Sequence, residues 1–241
     1  MSDGRGVADP HCHTTASDGM VTPAGLVGAA VDAGLDLIAI CDHDTMANAQ
    51  EVRDRGEEAG LAVVMGQELT TRWPAKTHVL GWFLRRPVRS GMSLEDTVDA
   101  IHDQDGLAVL PHAFMPTYFA SCQPSMLTRL IERRTLDGVE LLFTAPTTDG
   151  RRRALHEFYA AHRDRLGAAI GASDSHFGRH DIGRALTAFQ GRTADDFRRS
   201  VLARATTPVA GTTQRVPVSQ LALQQWRSLV QLPIRRLRGE L

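Results

Sequence analysis

Residues 6–19, GVADPHCHTTASDG, combine a short apolar run with a group of metal-binding side chains. The run predicts a β-strand over Gly6–Pro10, and His11-Cys12-His13 follows directly at its end. Since successive side chains of an extended segment point to opposite sides, His11 and His13 should face the same way and Cys12 the other. Two imidazoles placed like this can bind one ion at Zn–N distances near ~2.1 Å. This stretch therefore predicts a strand whose end carries a metal site.

Similar apolar runs alternate with helical patterns along most of the chain. Strands that alternate with helices of ten or more residues are typical of βα units and a mostly parallel sheet. No glycine-rich phosphate-binding motif follows the first strand, so the seven or eight units favour an α/β barrel over a dinucleotide-binding sheet. The predicted strands are Gly6–Pro10, Leu35–Cys41, Leu61–Gly66, Thr77–Leu84, Leu107–Leu110, Leu136–Leu142, Ala168–Gly171 and Ala185–Phe189. The predicted helices are Pro23–Ala33, Met46–Ala59, Ser93–Gln104, Pro124–Arg133, Thr148–Arg163 and Ala194–Arg204.

The composition is that of an ordinary globular protein. The 241 residues are 42% hydrophobic and 23% charged, which is enough chain to bury a large core without disulfides. A net charge of -1 argues against nucleic-acid binding by bulk electrostatics. Cys12, Cys41 and Cys122 are too widely separated for a disulfide framework or a thiolate zinc site. Without a secretory h-region or a stretch of ~18 apolar residues, the expected location is the reducing cytoplasm.

A basic tail begins at about Thr213. Five arginines and a single glutamate, Glu240, give this segment a local charge of +4. Its apolar stripe predicts a helix that ends at Pro233 and either packs across the barrel or binds a partner or a membrane surface. The stripe consists of Leu221, Leu223, Trp226, Leu229 and Leu232. The expected organisation is a flexible N-terminus over residues 1–6, one domain over residues 7–212 and the tail over residues 213–241.

Side chains able to bind metal recur where the predicted strands end. Because functional sites of parallel α/β folds lie at the carboxyl ends of the strands, most of these side chains should converge on one face. His78 instead opens its strand, so it fits only if that strand runs against the others. Six histidines and three carboxylates exceed the needs of one ion, which points to two or three divalent ions with bridging carboxylates. The candidate ligands are His11, His13, Asp18, His43, Glu68, His78, His112, Asp174 and His176.

The sequence resembles the PHP (polymerase and histidinol phosphatase) family. Residues 9–19, DPHCHTTASDG, and 40–45, ICDHDT, are close to family signatures, and residues 173–176, SDSH, supply the last one. The resemblance runs from about Val7 to Thr213. It implies a distorted seven-stranded (β/α) barrel in a single domain. It also implies a metal-dependent phosphoesterase with three divalent ions, Zn²⁺, Mn²⁺ or Fe²⁺.

The resemblance further implies how the ligands divide among three metal positions. One position would take His11, His13, Glu68 and Asp174, and a second would share Glu68 and add His78 and His112. A third would take Asp18, His43 and His176, with Asp18 where other members have histidine. Glu68, Asp174 and His176 are the expected catalytic residues, and a metal-activated hydroxide would attack phosphorus at this trinuclear site without a Ser or Cys nucleophile. The filled ligand set argues against a non-catalytic copy.

Basic and aromatic residues near these motifs are the candidates for substrate binding. Phosphate oxygens not held by metal usually meet arginine or backbone N–H groups, which favours residues that follow the SDSH motif. For Arg184 the alternative is a surface ion pair. An apolar segment after His112 either lines a leaving-group pocket or packs into the core. The predicted substrate-binding residues are Arg179, His180 and Arg184, and the apolar segment contains Phe114, Met115, Tyr118 and Phe119.

These features favour hydrolysis of a phosphomonoester of a small molecule. Some relatives that act on nucleotides insert a helical subdomain between the positions of His78 and His112, whereas only 33 residues separate them here. A first alternative is a nucleotide phosphodiesterase or a 5′-3′ exonuclease on short nucleic acids, which would make nucleotides or oligonucleotides the substrates. A second alternative is a metal-stabilised, non-catalytic interaction module.

Overall fold

The polypeptide folds, in the computed structural model, into a barrel of strands surrounded by helices, described for residues 4–73, 76–116, 120–212 and 215–240. The strands are β1 (Arg5–Cys12), β2 (Leu37–Ile40), β3 (Ala62–Thr70), β4 (His78–Trp82), β5 (Leu107–Leu110), β6 (Gly138–Phe143), β7 (Ala168–Ala172), β8 (Ala185–Gln190) and β9 (Thr207–Ala210). The helices are α1 (Pro23–Asp32), α2 (Ala49–Ala59), α3 (Leu94–His102), α4 (Pro124–Arg133), α5 (Asp149–Leu166), α6 (Ala194–Leu202), α7 (Val218–Trp226) and α8 (Leu232–Leu237).

The predicted α/β barrel is confirmed, with a larger sheet than expected. All eight predicted strands and all six predicted helices are present, with ends that differ by a few residues. The described residues add β9, so the sheet has nine strands instead of seven, in the order β7-β6-β5-β4-β3-β2-β1-β8-β9. This strand is four residues long, contains Pro208 and is mostly exposed, so it carries little hydrophobic signal in the sequence.

Strand direction explains how a strand start reaches the carboxyl-end face. Strands β1, β2 and β3 are parallel to one another, and so are β5, β6 and β7. Between these two groups, β4 runs antiparallel to both β3 and β5. The first residue of β4, His78, therefore lies at the same edge as the last residues of its neighbours. The sequence predicted His78 as a ligand only if its strand ran antiparallel to the others, and β4 has that direction.

Backbone hydrogen bonds close the barrel between the first and seventh strands. The amide of His13 donates to the carbonyl of Ser175 at 2.8 Å, and the amide of Ser175 donates to the carbonyl of His11 at 3.0 Å. Below this closure, β8 crosses close to β7. A Cβ atom on Gly171 would lie 2.2 Å from the carbonyl oxygen of Leu186, so this crossing requires glycine.

Apolar side chains fill the barrel and the space beneath the helices. Trp82 is fully buried, and its ring lies 5.4 Å from that of Phe197, which packs edge-on against Phe189 at 5.2 Å. Phe114 also belongs to the core, where its ring meets that of Phe158 at 5.6 Å. Of the two roles predicted for the apolar segment after His112, Phe114 therefore has the core-packing one. The predicted pocket residues Tyr118 and Phe119 lie outside the described residues.

The tail packs against the barrel, but only one residue of its apolar stripe is buried. Leu232 is 3% exposed, whereas the other four members of the stripe are 41–70% exposed. A π-helical turn, Arg227–Gln231, joins α7 to α8. The expected helix end at Pro233 was wrong, because Pro233 lies in the first turn of α8, where a missing N–H costs nothing. None of the described helices is long and apolar enough to span a membrane.

Candidate metal centre

All nine candidate ligands come together at the carboxyl-end face of the barrel. Six strands deliver eight of them directly, from their ends or from the residues just beyond, with β4 contributing its first residue. Asp18 arrives on the loop after β1, which folds back on itself. A Cβ atom on Gly19 would lie 2.7 Å from the carbonyl oxygen of His13, so only glycine permits this turn. The loop thereby returns Asp18 to the imidazole of His13.

The ligand atoms form three overlapping groups. Within each group they lie within 4.8 Å of one another, which suits ions with ligands at ~2.1 Å. The groups share residues, since His13 belongs to two, Glu68 to two and His43 to two. The groups are His11–His13–Glu68–Asp174, His43–Glu68–His78, and His13–Asp18–His43–His176. His112 joins the cluster through its Nε2, which lies 3.1 Å from Oε1 of Glu68.

Glu68 lies at the middle of the cluster and presents its two oxygens to different imidazoles. Its Oε1 lies 2.7 Å from Nδ1 of His78 and 3.1 Å from Nε2 of His112. Its Oε2 lies 3.2 Å from Nε2 of both His11 and His13. A carboxylate placed in this way can bridge two ions, one at each oxygen.

Buried imidazole nitrogens without hydrogen bonds show that the cluster suits cations. Nδ1 of His13, His43, His78 and His112 is buried and makes no hydrogen bond to the described residues. The Nδ1 of His78 nevertheless lies 2.7 Å from a carboxylate oxygen of Glu68. When this nitrogen carries its lone pair, the two atoms repel each other unless a positive charge lies between them. Buried polar groups usually have partners, and divalent ions provide partners for these nitrogens.

The carboxylates of the cluster remain charged although they are buried. Burial alone would raise the pKa of Glu68, but the imidazoles of His43, His78 and His11 hold it well below its usual range. The pKa of Asp18 is likewise lowered, because His176 and His43 outweigh the effect of burial. Ionised carboxylates amid imidazoles are the ligand set that binds Zn²⁺, Mn²⁺ or Fe²⁺.

The histidines respond in two ways to the same environment. For His43 burial prevails and lowers the pKa to about 3, which leaves its imidazole neutral and ready to bind a metal. For His176 the charges of Asp18 and Asp174 prevail over burial and raise the pKa to about 10. Ion binding at His176 must therefore displace a proton.

Two of the ligands have left-handed backbones. The φ angle is 30° at His112 and 54° at Asp174. Such conformations cost roughly 1–3 kcal/mol each in non-glycine residues and persist where the surroundings hold them in place. The loops after β5 and β7 are therefore held in shapes that aim these side chains into the cluster.

Glu140 is a functional residue that sequence reasoning missed. It is fully buried, and its Oε1 lies 2.8 Å from Nδ1 of His11. Its Oε2 accepts a hydrogen bond from the amide of His112 at 2.8 Å. Glu140 thus turns the Nε2 of His11 toward the cluster and supports the strained His112 loop. A carboxylate within the apolar run of β6 was the signal that could have identified it.

Replacement of Glu140 by glutamine is expected to weaken metal binding by about 10- to 100-fold, the usual effect of losing a partner that orients a ligand. The amide keeps the size of the side chain but loses the charge that fixes the His11 tautomer. Titration with Mn²⁺ against a competing chelator measures this change. Glu157→Gln, at an exposed position of α5, is the matched control. Equal affinities for the two variants would show that Glu140 does not support the site.

Asp42 and Asp44, which flank His43, bind backbone and hydroxyl groups of the neighbouring loops. Asp42 accepts hydrogen bonds from the amide of Thr14 at 2.8 Å and from the hydroxyl of Ser17 at 2.6 Å. Asp44 accepts from the amide of Thr70 at 2.7 Å. These carboxylates therefore shape the ligand-bearing loops.

The predicted substrate-binding residues follow the candidate ligand His176 in the chain. Arg179 and His180 belong to a short 3₁₀ turn, Gly178–His180, and line a surface pocket with α1. Arg184 donates from Nη2 to the carbonyl of His180 at 2.9 Å, so it braces that turn. The structure brings none of the three into the ligand groups described above, and their contact with substrate stays a prediction.

Comparisons with known proteins agree with this fold and identify relatives of the chain. A model of the PHP domain matches residues 9–204. Over 74 residues the chain is 40% identical to a 5′-3′ exoribonuclease of Haemophilus influenzae, a match that covers 30% of this chain and 27% of the relative. Over 200 residues it is 24% identical to a 3′,5′-nucleoside bisphosphate phosphatase of Chromobacterium violaceum, covering 74% of this chain and 69% of the relative. The aligned part of the exoribonuclease is thus about a quarter of its length.

A solved structure shares the fold. A two-domain protein from Bacteroides vulgatus, described as containing a predicted PHP-like metal-dependent phosphoesterase, superposes with a TM-score of 0.69. The sequence identity is 19%, and the match covers 93% of this chain and 71% of the other. Barrel, ligand cluster and relatives together define a metal-dependent phosphoesterase, a hydrolase of phosphate-ester bonds. The chain belongs to the PHP domain family.

Proposed function

We propose that the protein hydrolyses phosphomonoesters of small molecules at a centre of three divalent ions. The enclosure of the ligand cluster carries this proposal. Asp174, His78 and His176 have side chains 20%, 13% and 11% exposed, and those of the other six ligands are less exposed still. An opening bordered by three side chains suits a phosphoryl group at the end of a small molecule better than the backbone of a polymer.

The shared ligands support three ions in place of one. When bound, the ions supply a hydroxide nucleophile at neutral pH and neutralise the phosphoryl oxygens. Glu68 would bridge two positions with its separate oxygens, and Asp174 would complete the position of His11 and His13. His176 donates from Nδ1 to the carbonyl of Asp174 at 2.9 Å, which directs its Nε2 toward Asp18. Zn²⁺, Mn²⁺ and Fe²⁺ all suit this mixture of imidazoles and carboxylates.

A second candidate function is that of a nucleotide phosphodiesterase or 5′-3′ exonuclease. The similarity to the Haemophilus influenzae exoribonuclease over 74 residues favours it. The segment between His78 and His112 disfavours it, because residues 79–111 form only the rest of β4, then α3 and β5. No subdomain that could bind a polymer is inserted within these described residues.

A panel of phosphate esters separates these functions. With Mn²⁺ added, we expect an aryl phosphate and a sugar phosphate to be hydrolysed at least ~10-fold faster, in kcat/KM, than a dinucleotide or a 5′-phosphorylated oligonucleotide, which is a difference of ~1.4 kcal/mol. Asp174→Asn should abolish the activity, while Asp195→Asn, at an exposed position of α6, should retain it. Faster shortening of the oligonucleotide would establish the exonuclease instead. Bound metal without any turnover would indicate an interaction module.

A further inference from the structure

The C-terminal segment α7–α8 contacts the loops that carry the metal ligands. Arg227 donates to the carbonyl of Gly19, and Arg235 donates from Nη1 to the carbonyl of Ala16 at 2.7 Å. These two carbonyls flank Asp18 on the loop after β1. The segment is therefore attached to the loop on both sides of a candidate ligand.

A further arginine of the segment reaches the neighbouring strands. Arg236 donates from Nη2 to the hydroxyl of Thr70 at 2.8 Å, and its Nε lies 2.6 Å from Oδ2 of Asp44. Thr70 lies two residues beyond Glu68, and Asp44 follows His43. Each contact of this arginine thus falls within two residues of a candidate ligand.

Gln224 contacts a candidate ligand itself. Its Nε2 donates to Oδ2 of Asp18 at 3.2 Å, and both residues are buried, with 8% and 1% exposed. The other oxygen of Asp18, Oδ1, lies 3.2 Å from Nε2 of His176 and 3.7 Å from Nε2 of His43. One oxygen of this carboxylate is thus anchored by the segment, and the other faces the cluster. A neutral amide donor anchors Asp18 without cancelling the charge that a cation needs.

The orientation of the segment indicates that this contact serves the site. Val218 and Leu229 are 80% and 70% exposed, whereas Gln224 and the arginines face the barrel. A helix that packs only for stability buries its apolar side chains and exposes its polar ones. Here a glutamine is buried while leucines are exposed, an arrangement that costs hydrophobic stabilisation and gains a contact with Asp18.

We propose that Gln224 is a positioning residue of the metal centre, which fixes Asp18 as a ligand of the ion held by His13, Asp18, His43 and His176. The arginines of the segment hold Gln224 in place for this role. The inference rests on the metal centre of the proposed function. It assigns the tail to the active site, where it orients a ligand from a position 206 residues away in the sequence.

Metal binding by Gln224→Met tests the role of the amide. Methionine keeps the length and approximate volume of the side chain but has no donor for Asp18. We expect one of the bound ions to dissociate about 10- to 100-fold more readily, as measured by Mn²⁺ titration against a competing chelator and by elemental analysis. The thermal midpoint of the metal-free protein should stay unchanged. Gln231→Met, at an exposed position of the same segment, is the matched control.

A purely packing role predicts wild-type affinity for Gln224→Met, and that result would overturn the inference. The double variant Arg235→Ala with Arg236→Ala provides a second test, since release of the segment should weaken the same ion. Arg238→Ala, 69% exposed, is its control. Wild-type affinity in the double variant would equally contradict the proposal. Because the probe is the metal alone, these results do not depend on turnover, and a failure of the phosphatase assay remains a separate outcome.

Discussion

Glu68→Gln is expected to lower the turnover of phosphate esters by at least ~10³-fold. Stabilisation of phosphoryl charge by metal ions is worth several kcal/mol, and each ~1.4 kcal/mol corresponds to a factor of ten in rate. Glutamine preserves the shape of the side chain but replaces one oxygen with an amide donor. An amide nitrogen cannot bind a cation, so one of the two positions that the Glu68 oxygens serve loses its ligand atom. In the wild type, Oε1 faces His78 and His112. The change therefore disrupts two ligand groups at once, because Glu68 belongs to both.

The measurement is kcat on an aryl phosphate with saturating Mn²⁺, together with the number of bound ions. Glu58→Gln, at an exposed position of α2, should retain wild-type activity and metal content. Circular dichroism of the metal-free proteins checks that both variants fold. Retention of more than about a tenth of the wild-type activity by Glu68→Gln would show that this carboxylate does not bridge ions.

Removal of divalent ions is expected to abolish turnover and to lower the thermal midpoint by roughly 5–10 °C. An ion that binds only the folded chain stabilises it by about 2.7 kcal/mol at a concentration of one hundred times Kd. For a chain of this size, each kcal/mol shifts the midpoint by about 2–4 °C. Without ions, the buried imidazole nitrogens of His13, His43, His78 and His112 lose the partners that would offset their burial.

Calorimetry before and after treatment with a chelator measures this shift, and the restoration of Mn²⁺ should reverse it. Glu68→Gln is the informative comparison. Because its metal site is weakened, the thermal midpoints of this variant with and without Mn²⁺ should differ much less than those of the wild type. Identical thermal midpoints for the chelated and the metal-loaded wild-type protein would contradict the assignment of the cluster as a metal centre.

Much of the site could be predicted from the ends of apolar runs. In a parallel sheet the carboxyl ends of the strands share one edge, so His13, His43, Glu68 and Asp174 had to converge once the strands were identified. His78 was conditional on an antiparallel strand, and β4 has that direction. Glu140 was missed because it lies inside a strand, where periodicity alone does not distinguish a ligand-orienting carboxylate from an ordinary polar residue.

The sequence by itself determined the barrel, the positions of the candidate ligands along it and the membership of the chain in the PHP domain family. These features depend on local periodicity and on residues close to strand ends, which are legible without coordinates. Only the tertiary structure decided how the tail packs, and it leaves all but one residue of the apolar stripe exposed. The contact of Gln224 with Asp18 joins segments 206 residues apart. Such a contact depends on how remote surfaces fit together, and no local pattern of side chains encodes that fit.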